Sequence, residues 1–367
     1  MNTQKKHIAF VIGALTPGGA ERVISNLSNS LIKDFDVSII TFKKSTPFYR
    51  LDDRVKVFSC FDKIDKPTSI FGSLKLNYNI LKRIIAIIKN EQINLLIGFI
   101  TSANIIATLA AKKNGIPCLI SERNDPLKND IPRFWVVLRK LIYPKSDHLI
   151  VQTEKVKTIY TNMLKHKNIT VLPNPISSDL SRLRKNDVSR EKIILTVGRL
   201  NNDKRQDKLI RAVSTIKLDG WKVIIIGKGP NKKKLTNLIA NLNLSDQIEI
   251  LSNIKNIQDY YMKASIFVFT SKSEGFPNVL LEAMHFGLPC ISTDCNYGPS
   301  DIITNDKDGF LVPVDDQEIL VEKISELIKD SNLRNYLGKN AEKTSLNFTS
   351  DKVTTQWENL INYYLKN

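Results

Sequence analysis

The sequence predicts an α/β protein made of two doubly wound, Rossmann-like domains facing a cleft. Three observations carry this expectation. The chain has 367 residues, too long for one ordinary core and suited to two domains. Short apolar runs rich in Ile and Val alternate with longer helical patterns, as parallel strands covered by helices on both faces require. That rhythm stops at a polar segment beginning at Pro173 and then starts again.

The elements follow in order. HIAFVIGA is the first strand, Thr16 to Ala20 form a Gly-containing turn, and a helix begins near Ala20. FDVSIITF is the next strand. The stretch from Ser73, SLKLNYNILKRIIAIIKN, has helical spacing. INLLIGFI and PCLIS are strands, IPRFWVVLRKLIYPK from Ile131 is helical, and DHLIVQT and NITVLP are strands again. The polar segment PNPISSDLSRLRKNDVSREK has no apolar period and reads as the linker. After it come the strands KIILTVGRL, WKVIIIG, QIEILS, IFVFTS and PCISTD. The domains expected are therefore 1–176 and 190–348, followed by a terminal segment, 349–367. In doubly wound sheets ligands bind at the carboxyl ends of strands, so the site belongs in the cleft between the two.

Composition narrows the class. Hydrophobic residues make up 42% and charged residues 25%, as in a soluble globular protein. No apolar run approaches the ~18 residues of a membrane span. MNTQKKHIAFVIGAL reads as a first buried strand and not as a signal peptide, because no small-residue cleavage site follows. The cysteines Cys60, Cys118, Cys290 and Cys295 show neither metal-site nor disulfide-framework spacing, so free thiols in a reducing compartment are expected. The formal net charge is +17, of which +14 falls on residues up to Leu183. A basic first half suits an anionic partner, although a Lys-rich solubilising surface explains it as well.

Four stretches could carry chemistry. In the first, Gly18 and Gly19 would let backbone N–H groups approach a phosphate at a helix start, though a plain tight turn has the same residues. The spacing is not that of a dinucleotide fingerprint, so a nicotinamide cofactor is not expected. In the second, Arg199 follows a strand and Lys204 precedes the next helix; a planar fork and a point charge there make a clamp for a diphosphate. In the third, Gly227 and Gly229 mark a strand-to-helix turn that says only α/β. The fourth is SEGFPNVLLEAMHFGLPC, from Ser273. Pro277 and Asn278 precede a helix that Gly287 ends. Glu274 lies before that helix, where N–H groups from Gly275 to Val279 point outward, and Glu282 about one turn inside it. A carboxylate accepts two hydroxyl hydrogens at once, which suits a vicinal diol. A nucleotide sugar has one such diol on each ring and a diphosphate between.

The same stretch resembles the signature of the retaining glycosyltransferases of family 4, whose two Rossmann-like domains form the GT-B architecture. It has their pair of acids with seven residues between them, Glu274 and Glu282, with Gly275, Phe276, Pro277 and Asn278 in place. Also in order are GGAER at Gly18 to Arg22, SERN at Ser121 to Asn124, PNP at Pro173 to Pro175, the Arg199/Lys204 clamp, and the close from Gly298 to Pro313. The resemblance implies that Glu274 contacts the donor hexose and Glu282 the ribose. Arg199 and Lys204 then hold the diphosphate as leaving group, with the backbone of Gly275 to Val279 and of Gly18 and Gly19 completing the cradle, and the base rests near Ser252 to Asn256. The catalytic set is Glu274, Arg199 and Lys204. Several family members carry a histidine in the first domain; here Arg123 and Asn124 are the nearest candidates for that acceptor-side or catalytic position. His7, His148, His166 and His285 read as structural or exposed.

What else the resemblance implies is a partner list. The donor is a nucleotide sugar, UDP-linked, with no separate cofactor and no protein-bound metal. The acceptor is a saccharide on polyprenyl diphosphate in bacterial surface polysaccharide or glycan assembly, reached at the cytoplasmic face of the cell membrane. The basic, aromatic-bearing segments from Ser73 and Ile131 would rest on an anionic membrane surface; Lys75, Lys82, Arg83 and Lys89 in the first, and Arg133, Phe134, Trp135, Arg139, Lys140, Tyr143 and Lys145 in the second, suggest it. QWENLINYYL, from Gln356, would be a terminal helix crossing back to the first domain. Two rivals remain: a nucleotide-sugar epimerase of the same architecture, which would lack the paired acids, and a nucleic-acid-binding protein, which no aromatic or zinc motif supports.

Overall fold

A computed structural model describes residues 5–65, 69–123, 125–127, 132–185 and 188–366. The chain forms two compact units: Met1–Pro175 with Ser350–Asn367, and Ile176–Thr349. Both are parallel α/β sheets.

The first unit runs β1 (His7–Ile12), α1 (Gly19–Leu31), β2 (Asp36–Lys43), β3 (Lys56–Phe61), α2 (Ile70–Asn90), β4 (Leu95–Phe99), α3 (Thr101–Asn114), β5 (Cys118–Ser121), α4 (Arg133–Ile142), β6 (His148–Val151), α5 (Glu154–Leu164) and β7 (Ile169–Val171). Its seven strands lie in the order β3-β2-β1-β4-β5-β6-β7, so the winding reverses between β1 and β4. The strands read as unbroken apolar runs because both faces are covered: all residues of β1, β4, β5 and β6 are buried. The edge strands β3 and β7 are less buried, and β3 escaped the sequence reading. As an edge strand, KVFSCF buries only Cys60 fully, and its mixed polarity hides it.

The second unit runs α6 (Ser178–Leu183), β8 (Ile193–Val197), α7 (Gln206–Val213), β9 (Lys222–Ile226), α8 (Lys232–Asn241), β10 (Ile248–Leu251), α9 (Ile257–Lys263), β11 (Ile266–Phe269), α10 (Asn278–His285), β12 (Cys290–Thr293), α11 (Pro299–Ile302), β13 (Phe310–Val312), α12 (Gln317–Lys329) and α13 (Ser331–Ser345). The order is β10-β9-β8-β11-β12-β13, reversing between β8 and β11. β13, three residues at the other edge, is also too short to announce itself.

The segment read as a linker needs correction. It contains α6, and Ile176 and Leu180 are buried in the second unit's core with Ile193 and Phe286. Two apolar residues among polar neighbours give no period, yet they anchor the segment. α14 (Ser350–Lys366) belongs to the first unit, where Val353, Trp357 and Ile361 enter the core beside Phe10 and Phe99.

Candidate active site

The strand order of the second unit reverses where β8 and β11 lie side by side, and ligands of doubly wound sheets bind at such a point. Arg199 lies two residues beyond β8, and Glu274 lies on the exit from β11. Between them the 201–205 loop is fastened at three points. Lys204 N donates to Asn201 Oδ1 (3.2 Å), Thr270 Oγ1 donates to Lys204 O (3.0 Å), and Lys272 N donates to Asp203 O (2.7 Å). The result brings together two residues seventy positions apart: the Lys204 ammonium donates to Glu274 Oε1. The lysine also passes over the Phe269 ring, 5.3 Å from its centroid. The pair is shielded, its side chains 21% and 10% exposed. Arg199 differs: its carbonyl is held by Gln206 Nε2 (3.1 Å), whereas its exposed guanidinium makes no ion pair among the described residues. A fixed backbone with a free cationic head is suited to receive an anion.

Gly227 and Gly229, read from the sequence as a mere turn, are part of this site. Leu200 N donates to Lys228 O (2.8 Å), and Asn231 N donates to Leu200 O (3.0 Å). A Cβ on Gly227 would collide with the Gly198 carbonyl, and one on Gly229 with that of Leu200. The two glycines therefore let the β9 exit press on the backbone either side of Arg199. Ser252 Oγ donates to Gly227 O (2.8 Å), which ties the 252–256 loop after β10 to the same corner.

α10 begins with no side-chain cap and no acid in its first turn, so its N-terminal partial charge is uncompensated. The expected row of donors needs correction. Pro277 has no N–H, and that of Asn278 donates to Phe276 O (3.0 Å). Gly275, Phe276 and Val279 remain, with N–H groups that find no acceptor among the described residues. Gly298, at φ 110°, backs this turn; a Cβ there would meet Pro277 Cδ. Glu282, one turn inside, is buried and accepts from Tyr261 OH (3.1 Å), whose ring stacks on Phe286 at 5.4 Å. Its orientation is set by the protein before any ligand arrives.

In the first unit the expectations fare differently. Gly18 is the N-cap of α1 in an extended conformation, but the Glu21 carboxylate folds back against it, in the space a Cβ would fill. Burial raises that carboxyl's pKa. The Gly18–Gly19 turn is therefore no open phosphate cradle: the acid two residues on already occupies the helix start. Arg123 is buried at the carboxyl end of β5, and burial lowers its pKa to about 9. Asn124 lies outside the described residues. Glu122, which the sequence reading passed over, is buried too and accepts from Thr101 Oγ1 (2.9 Å) and Tyr143 OH (2.6 Å). Its only sequence signal is an acid directly after an apolar strand. All four histidines are buried and bonded at both ring nitrogens: His7 to Glu91 O and Ser38, His148 to Tyr364 and Thr170, His166 to Ser146 and Asn168 N, His285 to Ser345 and Ser181.

The basic segments divide. On α2, Phe71, Leu74 and Tyr78 are exposed at helical spacing among Lys75, Lys82 and Arg83. On α4, Phe134, Val137 and Leu141 are exposed beside Arg133 and Lys140. α3 packs against both helices. Two residues leave the expected surface set. Arg139 is buried, donating to Tyr160 OH (3.3 Å) and Pro126 O (3.1 Å), and Tyr143 is fully buried on Glu122. Among the described residues no helix is long and apolar enough to cross a membrane.

Comparison with known proteins bears on both units. Residues 17–180 match the family described as Glycosyltransferase Family 4, and residues 179–344 match Glycosyl transferases group 1. The chain is 29% identical to the Campylobacter jejuni GalNAc-alpha-(1→4)-GalNAc-alpha-(1→3)-diNAcBac-PP-undecaprenol alpha-1,4-N-acetyl-D-galactosaminyltransferase, over 96% of this chain and 98% of that one. It is 27% identical to the amylovoran biosynthesis glycosyltransferase AmsD of Erwinia amylovora, over 97% and 99%. The crystal structure of a Rickettsia africae glycosyltransferase superposes with a TM-score of 0.83 at 23% identity, covering 100% of both chains. Sucrose-phosphate synthase from Thermosynechococcus elongatus superposes with a TM-score of 0.81 at 17% identity, over 98% and 99%.

Proposed function

The chain belongs to the GT-B glycosyltransferases, a family 4 domain followed by a group 1 domain, and from that premise we propose its particular reaction. It moves a hexose or N-acetylhexosamine, with retention, from a UDP-sugar to a saccharide carried on polyprenyl diphosphate in bacterial surface polysaccharide or glycan assembly. The observation that carries this reading is the corner at the β8/β11 switch, where Arg199, Lys204, Glu274 and the open start of α10 converge. The curated relatives support the acceptor class, since the Campylobacter enzyme is named for an undecaprenyl-linked substrate and the Erwinia one for a polysaccharide.

In the proposed mechanism the bond from C1 of the sugar to the diphosphate oxygen breaks as the acceptor oxygen closes on C1 from the same face. The acceptor's proton passes to the departing diphosphate. Charge grows on that group, and fixed cations and helix N–H groups preorganised around it lower the barrier. Lys204 and Arg199 supply the cations, and the N–H groups of Gly275, Phe276 and Val279 the dipoles. Glu274, already paired with Lys204, serves to bind sugar hydroxyls and not as a covalent nucleophile. Glu282, held by Tyr261, takes the ribose diol. The charge is met by the protein's own cations, so no protein-bound metal is required. We further propose that α2 and α4 rest on the anionic cytoplasmic face of the membrane, where the acceptor lies. Their exposed Phe, Tyr and Leu side chains among lysines support this.

The test is a panel of UDP-, GDP- and ADP-sugars scored by thermal shift and by transfer to a polyprenyl-diphosphate saccharide, with and without a chelator. A UDP-sugar should raise the melting temperature and be consumed with retention in the chelator's presence. Inversion, or an absolute metal requirement, would overturn the mechanism; no transfer from any donor would overturn the reading.

A further inference from the structure

In the first unit the strand order reverses between β1 and β4, and the residue leaving β4, Ile100, has φ 72° and ψ 151°. A β-branched residue in that region is strained, and folds retain such strain chiefly at ligand sites. Beside it Arg123 leaves β5, its guanidinium 4.9 Å from the centroid of Phe99 and 5.8 Å from that of Trp357. Arg123 Nη1 donates to Asn174 Oδ1. Arg123 Nε and Nη2 are buried and find no hydrogen-bond partner among the described residues, in a residue only 9% exposed. These two nitrogens share one edge of the guanidinium, so the idle pair is a complete two-pronged fork. Leaving it empty in a buried place is costly, and the fork matches two oxygens of one anionic group. The adjacent acid does not fill it. The Glu122 carboxylate takes Thr101 Oγ1, Tyr143 OH and the backbone N–H of Arg123 (3.0 Å).

We propose that Arg123 is the acceptor-side anion receptor, its Nε/Nη2 fork closing on two oxygens of a phosphate or carboxylate carried by the saccharide acceptor. Phe99 and Trp357 fix the plane of the guanidinium, and Asn174 fixes its rotation. The role rests on the transferase reading above and extends it to a residue for acceptor specificity. It also explains why the terminal helix enters the first core with an indole: Trp357 braces the receptor.

Trp357 makes the proposal readable without turnover. Protein carrying Trp135→Phe and Trp221→Phe keeps Trp357 as its one indole. With UDP present in excess to occupy the second unit, inorganic pyrophosphate and methyl glucuronide are titrated separately against its emission. Saturable change with either supports the receptor and tells phosphate from carboxylate. Arg123→Lys, which keeps the charge and removes the fork, should then raise the dissociation constant at least tenfold. Should Arg123→Lys melt early, Asn174→Ala, which frees the fork's anchor, should weaken binding about threefold. No response to either anion, or binding equally tight in both variants, would overturn the proposal. In turnover, Arg123→Lys should raise the acceptor KM tenfold or more and move the donor KM less than twofold. A wild-type protein that transfers nothing would sink the transferase reading and leave the fluorescence to decide this one.

Discussion

Lys204 and Glu274 are paired in a corner that leaves their side chains only 21% and 10% exposed. A donor has to part them, drawing the ammonium to its diphosphate and leaving the carboxylate for sugar hydroxyls. The two therefore fail differently when removed. Lys204→Ala loses charge stabilisation as the leaving group departs, so kcat should fall by about 10²–10³ with little change in donor affinity. Glu274→Gln keeps the shape but weakens the hold on the sugar, so kcat and KM should both suffer. Lys204→Ala also strands a shielded carboxylate and should lose roughly 1–3 kcal/mol of stability, whereas Glu274→Gln, which can still accept from the ammonium, should lose less. Steady-state kinetics with near-normal kcat for Lys204→Ala would remove this lysine from the mechanism.

Gly229 offers a test that touches no substrate. A methyl group there meets the Leu200 carbonyl, and the backbone has to give. Since Leu200 follows Arg199, Gly229→Ala should cost roughly 1–3 kcal/mol by overpacking and lower kcat/KM by at least tenfold through displacement of the clamp. Gly220→Ala, at φ 83° with open space around it, is the control for strain alone. If the two variants lose activity equally, Gly229 has no special hold on Arg199.

Much of this site was legible because it is local. The strand-to-helix turns, the paired acids and the Arg/Lys clamp each sit within one short stretch, and a parallel sheet delivers every such stretch to its carboxyl edge. What stayed hidden depends on partners distant in sequence. The Glu21 carboxylate closing the Gly18 turn is a matter of rotamer, not of residue type. The burial of Arg139 and Tyr143 inverts the reading of a basic aromatic helix, because Tyr160 and Glu122 arrive from other elements. Glycines 227 and 229 looked generic because the carbonyls they approach belong to a loop some thirty residues earlier. β3 escaped because its polarity is mixed, with Cys60 alone fully buried.

The exposed apolar stripes of α2 and α4 should govern attachment to anionic vesicles. Phe71→Ser with Tyr78→Ser should cut sedimentation with phosphatidylglycerol vesicles several-fold, since each removes an apolar side chain that would otherwise leave water. Stability should move by less than about 0.5 kcal/mol, because these side chains face solvent. Raising salt should weaken what binding remains, through Lys75, Lys82 and Arg83. Equal sedimentation of variant and wild type would assign the stripe to some other partner.

His148 should make the first unit acid-sensitive. Its Nδ1 meets Tyr364 OH (3.1 Å) and its Nε2 meets Thr170 Oγ1 (2.8 Å), and burial, aided by the neighbouring His166, lowers its pKa from 6.5 to about 4. Burial lowers His166 in the same direction. Between those values the unfolded chain binds a proton that the folded ring refuses. The stability contributed by the neutral ring is thus complete above pH 6.5 and is lost as pH falls toward 4. A shift of that size is worth roughly 3 kcal/mol, and partial solvent contact reduces it to roughly 2. His148→Gln removes the titrating ring, so its loss of stability across that window should be shallower by about that amount. The measurement is denaturant unfolding at a series of pH values, followed as the difference between variant and wild type. Parallel curves would show that the ring takes up its proton without opening the Tyr364 and Thr170 contacts, and that the acid sensitivity lies elsewhere.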